Sequence, residues 1–369
     1  MGSNGETAEA LTSDVVIVGA GPIGIELAAE LKRAEIEAMQ FDAGSIGATM
    51  RWWSPGTQFF SSPERIGIAG VPLVTRDQQK ATREEYLDYL RLVVGTHGLT
   101  VHTFERVEDV RRLGAEENGD AGLPRFELTT RRRGGLSRAV RCRRLVLAIG
   151  DMHRPKRIDV AGEDLPHVSH YLGDVHEYYG RDVLIVGGRN SAVEAAIRLY
   201  RAGARVTISY RRATFSKKVK YWLRPELLWL IETGRIGFAA DSAVDRIEAG
   251  SVRLRRSHEP EAAEADDGWM ADMAADDVLL LTGYEQDATL FERLGVELER
   301  DARSPRHDPD TMETNAAGVY VAGTAVAGTQ ASGVTHFIET SHVHVERIAA
   351  ALRGSPVRRE DVRYQLEES

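Results

Sequence analysis

The sequence predicts an α/β protein made of two nucleotide-binding units, one inserted into the other. Three observations carry this. A short apolar strand, a glycine-rich turn and a helix with apolar residues at helical spacing occur together at residues 14–42, and the same pattern returns at residues 182–212. Two more buried strands, Leu145–Ile149 and Val278–Leu281, each run into a glycine turn, as if the chain leaves the inserted unit where it entered. The chain's 369 residues are long for one core and suit two domains. The architecture expected is two Rossmann-like domains of three-layer ββα/βαβ type.

Residues 1–12 read as a disordered tail. Asp14–Val18 is a short β-branched run, hence a buried strand. Gly19-Ala-Gly21-Pro22-Ile23-Gly24 follows at once, and Leu27, Ala28, Leu31 and Ala34 recur at helical spacing. Gly19 permits the tight turn, Gly21 lets backbone approach a pyrophosphate, and Gly24 lets helix pack close to strand, with phosphates at the helix N-terminus. A second strand, Glu37–Phe41, ends in Asp42 and Ala43, about 20 residues beyond the glycines. A carboxylate there accepts hydrogen bonds from ribose hydroxyls and repels a 2′-phosphate, so this unit should hold FAD or NAD.

Composition narrows the partners. The formal net charge of −9 argues against nucleic acid, whose phosphates need a basic surface. A single cysteine, Cys142, excludes a disulfide framework, a Cys₂ metal site or an internal CxxC. Residues 1–12 lack a basic n-region and an apolar h-region, and no apolar run approaches the roughly 18 residues that span a membrane. A cytoplasmic protein is expected.

Beyond Asp42 lies a Gly/Ser/Pro-rich loop with Trp52, Trp53, Phe59 and Phe60, aromatics that can cover a flat ring system or fill a core. Thr82–His97 has Tyr86, Leu87, Leu90 and Val94 on one side and predicts an amphipathic helix. Three or four strands follow from Thr100 to Cys142, with turns at Glu117-Asn118-Gly119 and Gly134-Gly135. The arginines at 131–133, 141, 143 and 144 read as the solvated face of a hairpin, and Cys142 among them reads as structural. The Pro- and charge-rich stretch after Gly150 reads as a domain connection.

The second unit differs from the first in two ways. Its strand Arg205–Tyr210 ends in Tyr210-Arg211-Arg212, where arginine suits a 2′-phosphate through charge-assisted hydrogen bonds. NADPH is therefore preferred over NADH. Its turn, Gly187-Gly188-Arg189-Asn190-Ser191-Ala192, carries Arg189 in place of the second glycine. That side chain either hinders close approach to a pyrophosphate or supplies a cation to it. Ser216–Glu232 reads as a loop and a helix, strands follow near 235–240, 244–248 and 252–256, and the acidic stretch Glu259–Asp277 reads as a hairpin tip leading to a strand. A last strand and turn, Gly318–Gly323, precede a small-residue loop and a terminal helix over Val334–Leu352.

Two nested units of this kind resemble the pyridine-nucleotide flavoproteins of thioredoxin reductase type, over essentially the whole chain after residue 12. In finer detail the sequence is similar to the bacillithiol disulfide reductases. The matching stretches are Thr57-Gln-Phe-Phe60-Ser-Ser62, residues 187–193, the pattern Ser216, Val219, Lys220, Trp222, Pro225, then Glu313-Thr-Asn315 and Phe337-Ile338-Glu339. The resemblance implies FAD in the first unit (13–158 and 286–369), NADPH in the second (159–285), and reduction of a small thiol-derived disulfide by a homo-oligomer. It adds Thr57, Phe60, Gly150, Gly323, Thr324, Phe337 and Ile338 to the cofactor residues. Two positions depart from it. The cysteine those reductases carry between the proline and last glycine of the first turn is Ile23 here, and the acid of the thioredoxin reductases after the late glycine is Thr324.

In this reading the terminal helix aims its N-terminus, near Ser332–Thr335, at the pyrimidine edge of the flavin. His336 is a candidate acid catalyst, while His342 and His344, two apart on a helix, face apart and do not suggest a metal. Alternative readings are a flavin-dependent monooxygenase, from the partial fingerprint Tyr171–His176, a ferredoxin or flavodoxin reductase, and a redox-sensing flavoprotein.

Overall fold

The computed structural model describes residues 11–114, 125–217, 219–257, 269–329 and 336–355. The chain opens with β1 (Leu11–Val18), α1 (Pro22–Arg33) and β2 (Ala38–Phe41), then α2 (Pro63–Ile66) and α3 (Arg83–Thr96). Thr82 caps α3 in a reciprocal box with Glu85, which satisfies two otherwise orphaned N–H groups. Four strands follow: β3 (Val101–His102), β4 (Glu105–Arg112), β5 (Phe126–Arg132) and β6 (Ser137–Leu147). They form one sheet in the order β3-β2-β1-β6-β5-β4. Its β3-β2-β1-β6 part is parallel and its β6-β5-β4 part antiparallel.

Two expectations need correction here. β1 begins at Leu11, not Asp14, because Leu11 and Thr12 pair with Val140 and Arg141 of β6. Residues 1–10 of the expected tail lie outside the described residues. The separate strand expected at Leu145–Ile149 is the end of the eleven-residue β6, which stops at Leu147. This strand pairs with β5 through its first half and with β1 along most of its length. The turn expected at 117–119 falls outside the described residues.

The arginines of the hairpin face solvent and are paired across strands. Arg131 meets Glu108 at 2.7 Å, Arg111 and Arg141 share Glu127, and Arg138 meets the fully buried Glu105 at 2.6 Å. Such pairs hold strand register more than they add stability.

The chain then crosses at β7 (Arg154–Pro155) and enters the second unit. There β8 (Val168–Ser169), β9 (Asp182–Val186), α4 (Asn190–Arg201), β10 (Arg205–Tyr210), α5 (Arg224–Glu232) and β11 (Gly237–Ala240) are followed by β12 (Ser242–Glu248), β13 (Ser251–Arg256), β14 (Trp269–Ala274) and β15 (Asp277–Leu280). The parallel sheet has the order β11-β10-β9-β15-β8, and β12-β13-β14 is a separate antiparallel sheet. Of the acidic stretch Glu259–Asp277, expected to form a hairpin tip, the part up to residue 268 lies outside the described residues. Small residues line the buried face of α4, where Ala192, Ala195 and Ala196 let the helix sit close to its sheet.

The chain returns at β16 (Tyr284–Glu285). It adds α6 (Thr289–Arg293), the short pair β17 (Leu298–Glu299) and β18 (Ser304–Pro305), β19 (Val319–Val321) beside β6, and α7 (Ile338–Arg353). By contacts, one compact unit takes the described residues to Arg51, Gln58–Arg154 and those from Tyr284, and the other takes Trp52–Thr57 and Pro155–Gly283. The crossings thus fall a few residues before those expected. Trp52–Thr57 packs with the second unit because Ser54 Oγ donates to Gly173 O at 2.9 Å and Arg198 donates to Pro55 O and Thr57 Oγ1.

α7 starts at Ile338 rather than Val334. Phe337 is extended (φ −126°, ψ 175°), and its N–H donates to Thr340 Oγ1 while Ser341 Oγ donates to its carbonyl. These local bonds end the extended stretch and start the helix. His336 therefore precedes α7, and residues 330–335, expected to hold the helix N-terminus, lie outside the described residues. At the far end Gly354 is left-handed (φ +65°) and stops the helix.

α7 is joined to α1 by His342. Its Nδ1 lies 2.7 Å from Glu26 Oε2 and its Nε2 3.0 Å from the Arg65 carbonyl. Both partners only accept, so the doubly protonated ring satisfies both. Burial alone would lower the His342 pKa; the Glu26 hydrogen bond and charge outweigh it and raise the pKa above the usual 6.5. A raised folded pKa gives stability that is complete below about pH 6.5 and lost as pH climbs through the folded value. The melting temperature should therefore fall on going from pH 6 to pH 8, and Glu26→Gln should flatten that slope. An unchanged slope in the variant, followed by differential scanning fluorimetry, would show that the pair is not ionised.

Candidate functional site

In the first unit the turn between β1 and α1 is built on close backbone contact. Gly19 has φ +114°, and a Cβ on it would lie 2.2 Å from the Ala148 carbonyl. A Cβ on Gly24 would lie 2.2 Å from the Gly19 carbonyl. Gln40, an amide 1% exposed in the middle of β2, donates to that same carbonyl at 2.8 Å. Gly21 is the opposite case: it is the extended N-cap of α1, no side chain caps the helix, and a Cβ there would meet nothing within 4 Å. Pro22 follows at the first helical turn, where its missing N–H costs no bond. The result is an open helix N-terminus whose amides and dipole favour an anion.

Asp42 closes the other side. Its Oδ2 accepts from Ala20 N–H and its Oδ1 from Gly44 N–H, each at 2.7 Å. Burial raises its pKa, opposed by these two bonds and by Arg106. Asp42 therefore shapes the turn, and each oxygen keeps a lone pair that can accept a further donor. Ala43 beside it is exposed.

Further groups gather at the ends of β6 and β19. Gly150 (φ +75°) faces Thr324, whose Oγ1 would lie 3.8 Å from a Cβ on that glycine. Gly323 (φ +70°) packs on Ile23, 3.4 Å from an added Cβ. Ile23 is 6% exposed and belongs to the core. Beneath them the Gly323 N–H donates to His344 Nδ1 at 3.2 Å. Burial, with His336 and His307 nearby, pushes His344 down to about 3, so it stays neutral and accepts that bond. The His336 ring lies 6.5 Å from that of His344, and its pKa is lowered by burial and by His307, against Asp151. Phe60 is half-buried with Lys80 Nζ 5.0 Å above its ring, and Phe337 is partly exposed at the start of α7. Thr57, expected in this unit, groups with the other.

The second unit repeats the turn with different side chains. Gly187 has φ +146°, and a Cβ would lie 2.5 Å from the Leu281 carbonyl. Ala192 stands where the first unit has Gly24, its Cβ 3.1 Å from a Cβ built on Gly187. Arg189 is the N-cap of α4 with φ −108° and ψ −174°, close to the extended geometry of Gly21 (φ −78°, ψ −179°). A side chain is therefore unstrained there, and it is exposed. Asn190 Oδ1 accepts from Lys220 N–H at 2.8 Å and so holds the loop before α5, while Ser191 is exposed. The Tyr210 ring lies against Gly188, within 2.5 Å of where a Cβ would be, and stacks on Phe215 at 5.5 Å. Arg211 and Arg212 follow the strand end, exposed, and neither has an ion pair among the described residues. Cations without partners, beside an uncapped helix start, fit a polyphosphate.

Sequence reasoning missed Gln40 and the clasp of Tyr210 on Gly188. A polar residue within an otherwise apolar strand was the available signal for Gln40. The clasp had none, since it depends on the path taken after β10.

The sequence matches the pyridine nucleotide-disulphide oxidoreductase family over residues 16–323. The chain belongs to that family. It is 33% identical over 337 residues to bacilliredoxin reductase Bdr of Bacillus subtilis, covering 91% of this chain and 96% of that one. The solved structure of bacillithiol disulfide reductase Bdr from Bacillus cereus superposes with a TM-score of 0.83 at 31% identity, covering 93% of this chain and 99% of that chain. The counterpart from Staphylococcus aureus gives 0.82 at 30%, with the same coverage. Membership makes the chain an oxidoreductase that works with FAD and a pyridine nucleotide, and the first unit's open helix start and acid fit such a group. Among the described residues no helix is long and apolar enough to cross a membrane.

Cys142 takes no part in this site. It lies on β6, fully buried, and burial raises its thiol to about 12. The native protein should leave Ellman's reagent unreacted at pH 8 over an hour and release about one thiol per chain in guanidinium, because the thiolate is the nucleophile. Rapid labelling of the native protein would mean that the thiol is reachable.

Proposed function

We propose that this chain is an NADPH-dependent flavin oxidoreductase that reduces a low-molecular-weight thiol disulfide of the bacillithiol type. One observation carries the cofactor assignment: two turns of the same design end in opposite charge, Asp42 in one and Arg211-Arg212 in the other. The acceptor rests on the full-length likeness to Bdr. The net reaction is NADPH + H⁺ + RSSR → NADP⁺ + 2 RSH. Bound FAD supplies the two-electron relay between nucleotide and disulfide.

The chain's own residues bind and orient. The N-terminus of α1, opened by Gly21, would hold the FAD pyrophosphate, and Asp42 would accept from the adenosine ribose through its remaining lone pairs. Pro22, Ile23, Gly24, Gly150, Gly323 and Thr324 bound the same cradle, with Thr324 donating a hydroxyl where thioredoxin reductases place an acid. Phe60, Phe337 and Ile338 cover its edge. In the second unit Arg211 and Arg212 take the 2′-phosphate, and Gly187, Gly188, Arg189, Asn190 and Ser191 form the pyrophosphate turn. Thr57 packs beside that unit. His336 lies near the Gly323 turn and can pass a proton to the departing thiolate. With Ile23 apolar and Cys142 buried, this chain supplies no thiol of its own to the disulfide. The enzyme works in the cytoplasm as a homo-oligomer.

The test is anaerobic. Yellow holoprotein should be bleached by NADPH far faster than by NADH, and bacillithiol disulfide should restore the colour. Arg211→Ala with Arg212→Ala should raise the NADPH KM at least about tenfold, the value of one charged hydrogen bond, and leave the NADH KM nearly unchanged. Equal effects on both nucleotides would remove the arginines from the site. Recolouring by ferredoxin but not by disulfide would replace the acceptor.

A further inference from the structure

One buried side chain behind the first unit's cradle has no role in the reading above. Gln286 lies just after β16, where the chain has returned to this unit, and is 7% exposed. Its Nε2 donates to the Gly150 carbonyl at 2.9 Å and to the Ala325 carbonyl at 3.0 Å. Its backbone N–H donates to Thr329 Oγ1 at 3.1 Å. Two carbonyls can be served only by the NH₂ end of the amide, so its orientation is determined. Its Oε1 is then buried without a hydrogen-bond partner among the described residues. An acceptor left so is desolvated without compensation.

The two carbonyls belong to the two loops that face each other across the cradle. Gly150 follows β6 and is left-handed; Ala325 is next to Thr324 in the turn after β19. The space between Gly150 and Thr324 is only that of an ordinary contact, 3.8 Å from a Cβ. Past the end of β6 at Leu147 the Gly150 side has no regular structure, while Ala325 sits in the single 3₁₀ segment Gly323–Ala327 that follows β19. One amide bridging them sets their separation.

We propose that Gln286 is a positioning residue for FAD: its side-chain amide fixes the gap between the Gly150 and Thr324 loops and thereby the seat and electronic environment of the flavin. This rests on the assignment of FAD to the first unit. Gln286 does not touch the reacting atoms. It acts by holding carbonyls that would otherwise turn toward water or toward the cofactor.

The experiment uses holoprotein. Gln286→Met keeps the length and volume of the side chain and removes both donors. Expected results are FAD release on dilution about tenfold faster than wild type, read by the rise in flavin fluorescence, and a shifted visible flavin band in the protein that retains FAD. Should that variant fail to fold, Thr329→Val weakens only the backbone anchor of Gln286 and should speed release about threefold, part of one hydrogen bond's worth. Wild-type release rate and an unchanged flavin band in a folded variant would overturn the role of Gln286 alone. A lowered melting temperature with an unchanged band in the bound fraction would make the residue merely structural and also overturn it. A wild-type protein that neither carries FAD nor takes it up would overturn both this role and the cofactor assignment beneath it.

Discussion

The close approach of backbone to backbone at two glycines governs the molecule. At Gly19 a carbonyl oxygen from the neighbouring strand end, that of Ala148, occupies the position of a missing Cβ; at Gly187 the Leu281 carbonyl does the same. Both glycines also have positive φ, so a side chain would add strain to a collision. Only this compression lets each helix begin directly above the sheet edge, with its first amides free. The parallel sheets, Gly24 on α1, the small-residue face of α4 and the placement of β6 and β15 beside the first strands all serve the same approach. A larger residue at either glycine would push the helix start away from where phosphates can reach it.

The units diverge where the side chain after the second strand meets the turn. In the first, Asp42 turns inward and ties Ala20 and Gly44 with short charge-assisted bonds. In the second, the corresponding space over Gly188 is filled by the Tyr210 ring, which leaves Arg211 and Arg212 pointing to solvent. The acid is thus part of the wall, preorganised before any ribose arrives, whereas the arginines are free to follow a phosphate. The N-cap backbone of Arg189 matches that of Gly21, so the exchange of glycine for arginine there costs little strain.

How much of this was legible depended on the range of the interactions. Strand, turn and helix of each βαβ half are local patterns, and 14–42 and 182–212 fold as their spacing implies. Residues whose state depends on distant partners were not legible. Leu11 and Thr12 are strand because β6 continues far enough to pair with them. The expected break before Leu145 is absent because β1 and β19 both hold that end of β6. The start of α7 was placed too early because no propensity rule weighs the Thr340 and Ser341 hydroxyls against a longer helix. Within the site, glycines and terminal charges showed in the sequence; the amides of Gln40 and Gln286 did not, since a buried glutamine is recognisable only once the carbonyls it serves are in place.

Ile23 shows how a reductase-like fold can stand without its thiol. The side chain lies on the first turn of α1, packs against Gly323 and counts among the buried core. A cysteine there would remove apolar volume, and a large-to-small change in a core costs about 1 kcal/mol or more. Isoleucine stabilises the joint between α1 and the Gly323 turn, at the edge of the cradle. Chemistry at such a site depends on the alignment of cofactor with acceptor, which puts the demand on the groups that fix the cradle's walls: Asp42 on one side, the Gly150 and Thr324 loops on the other.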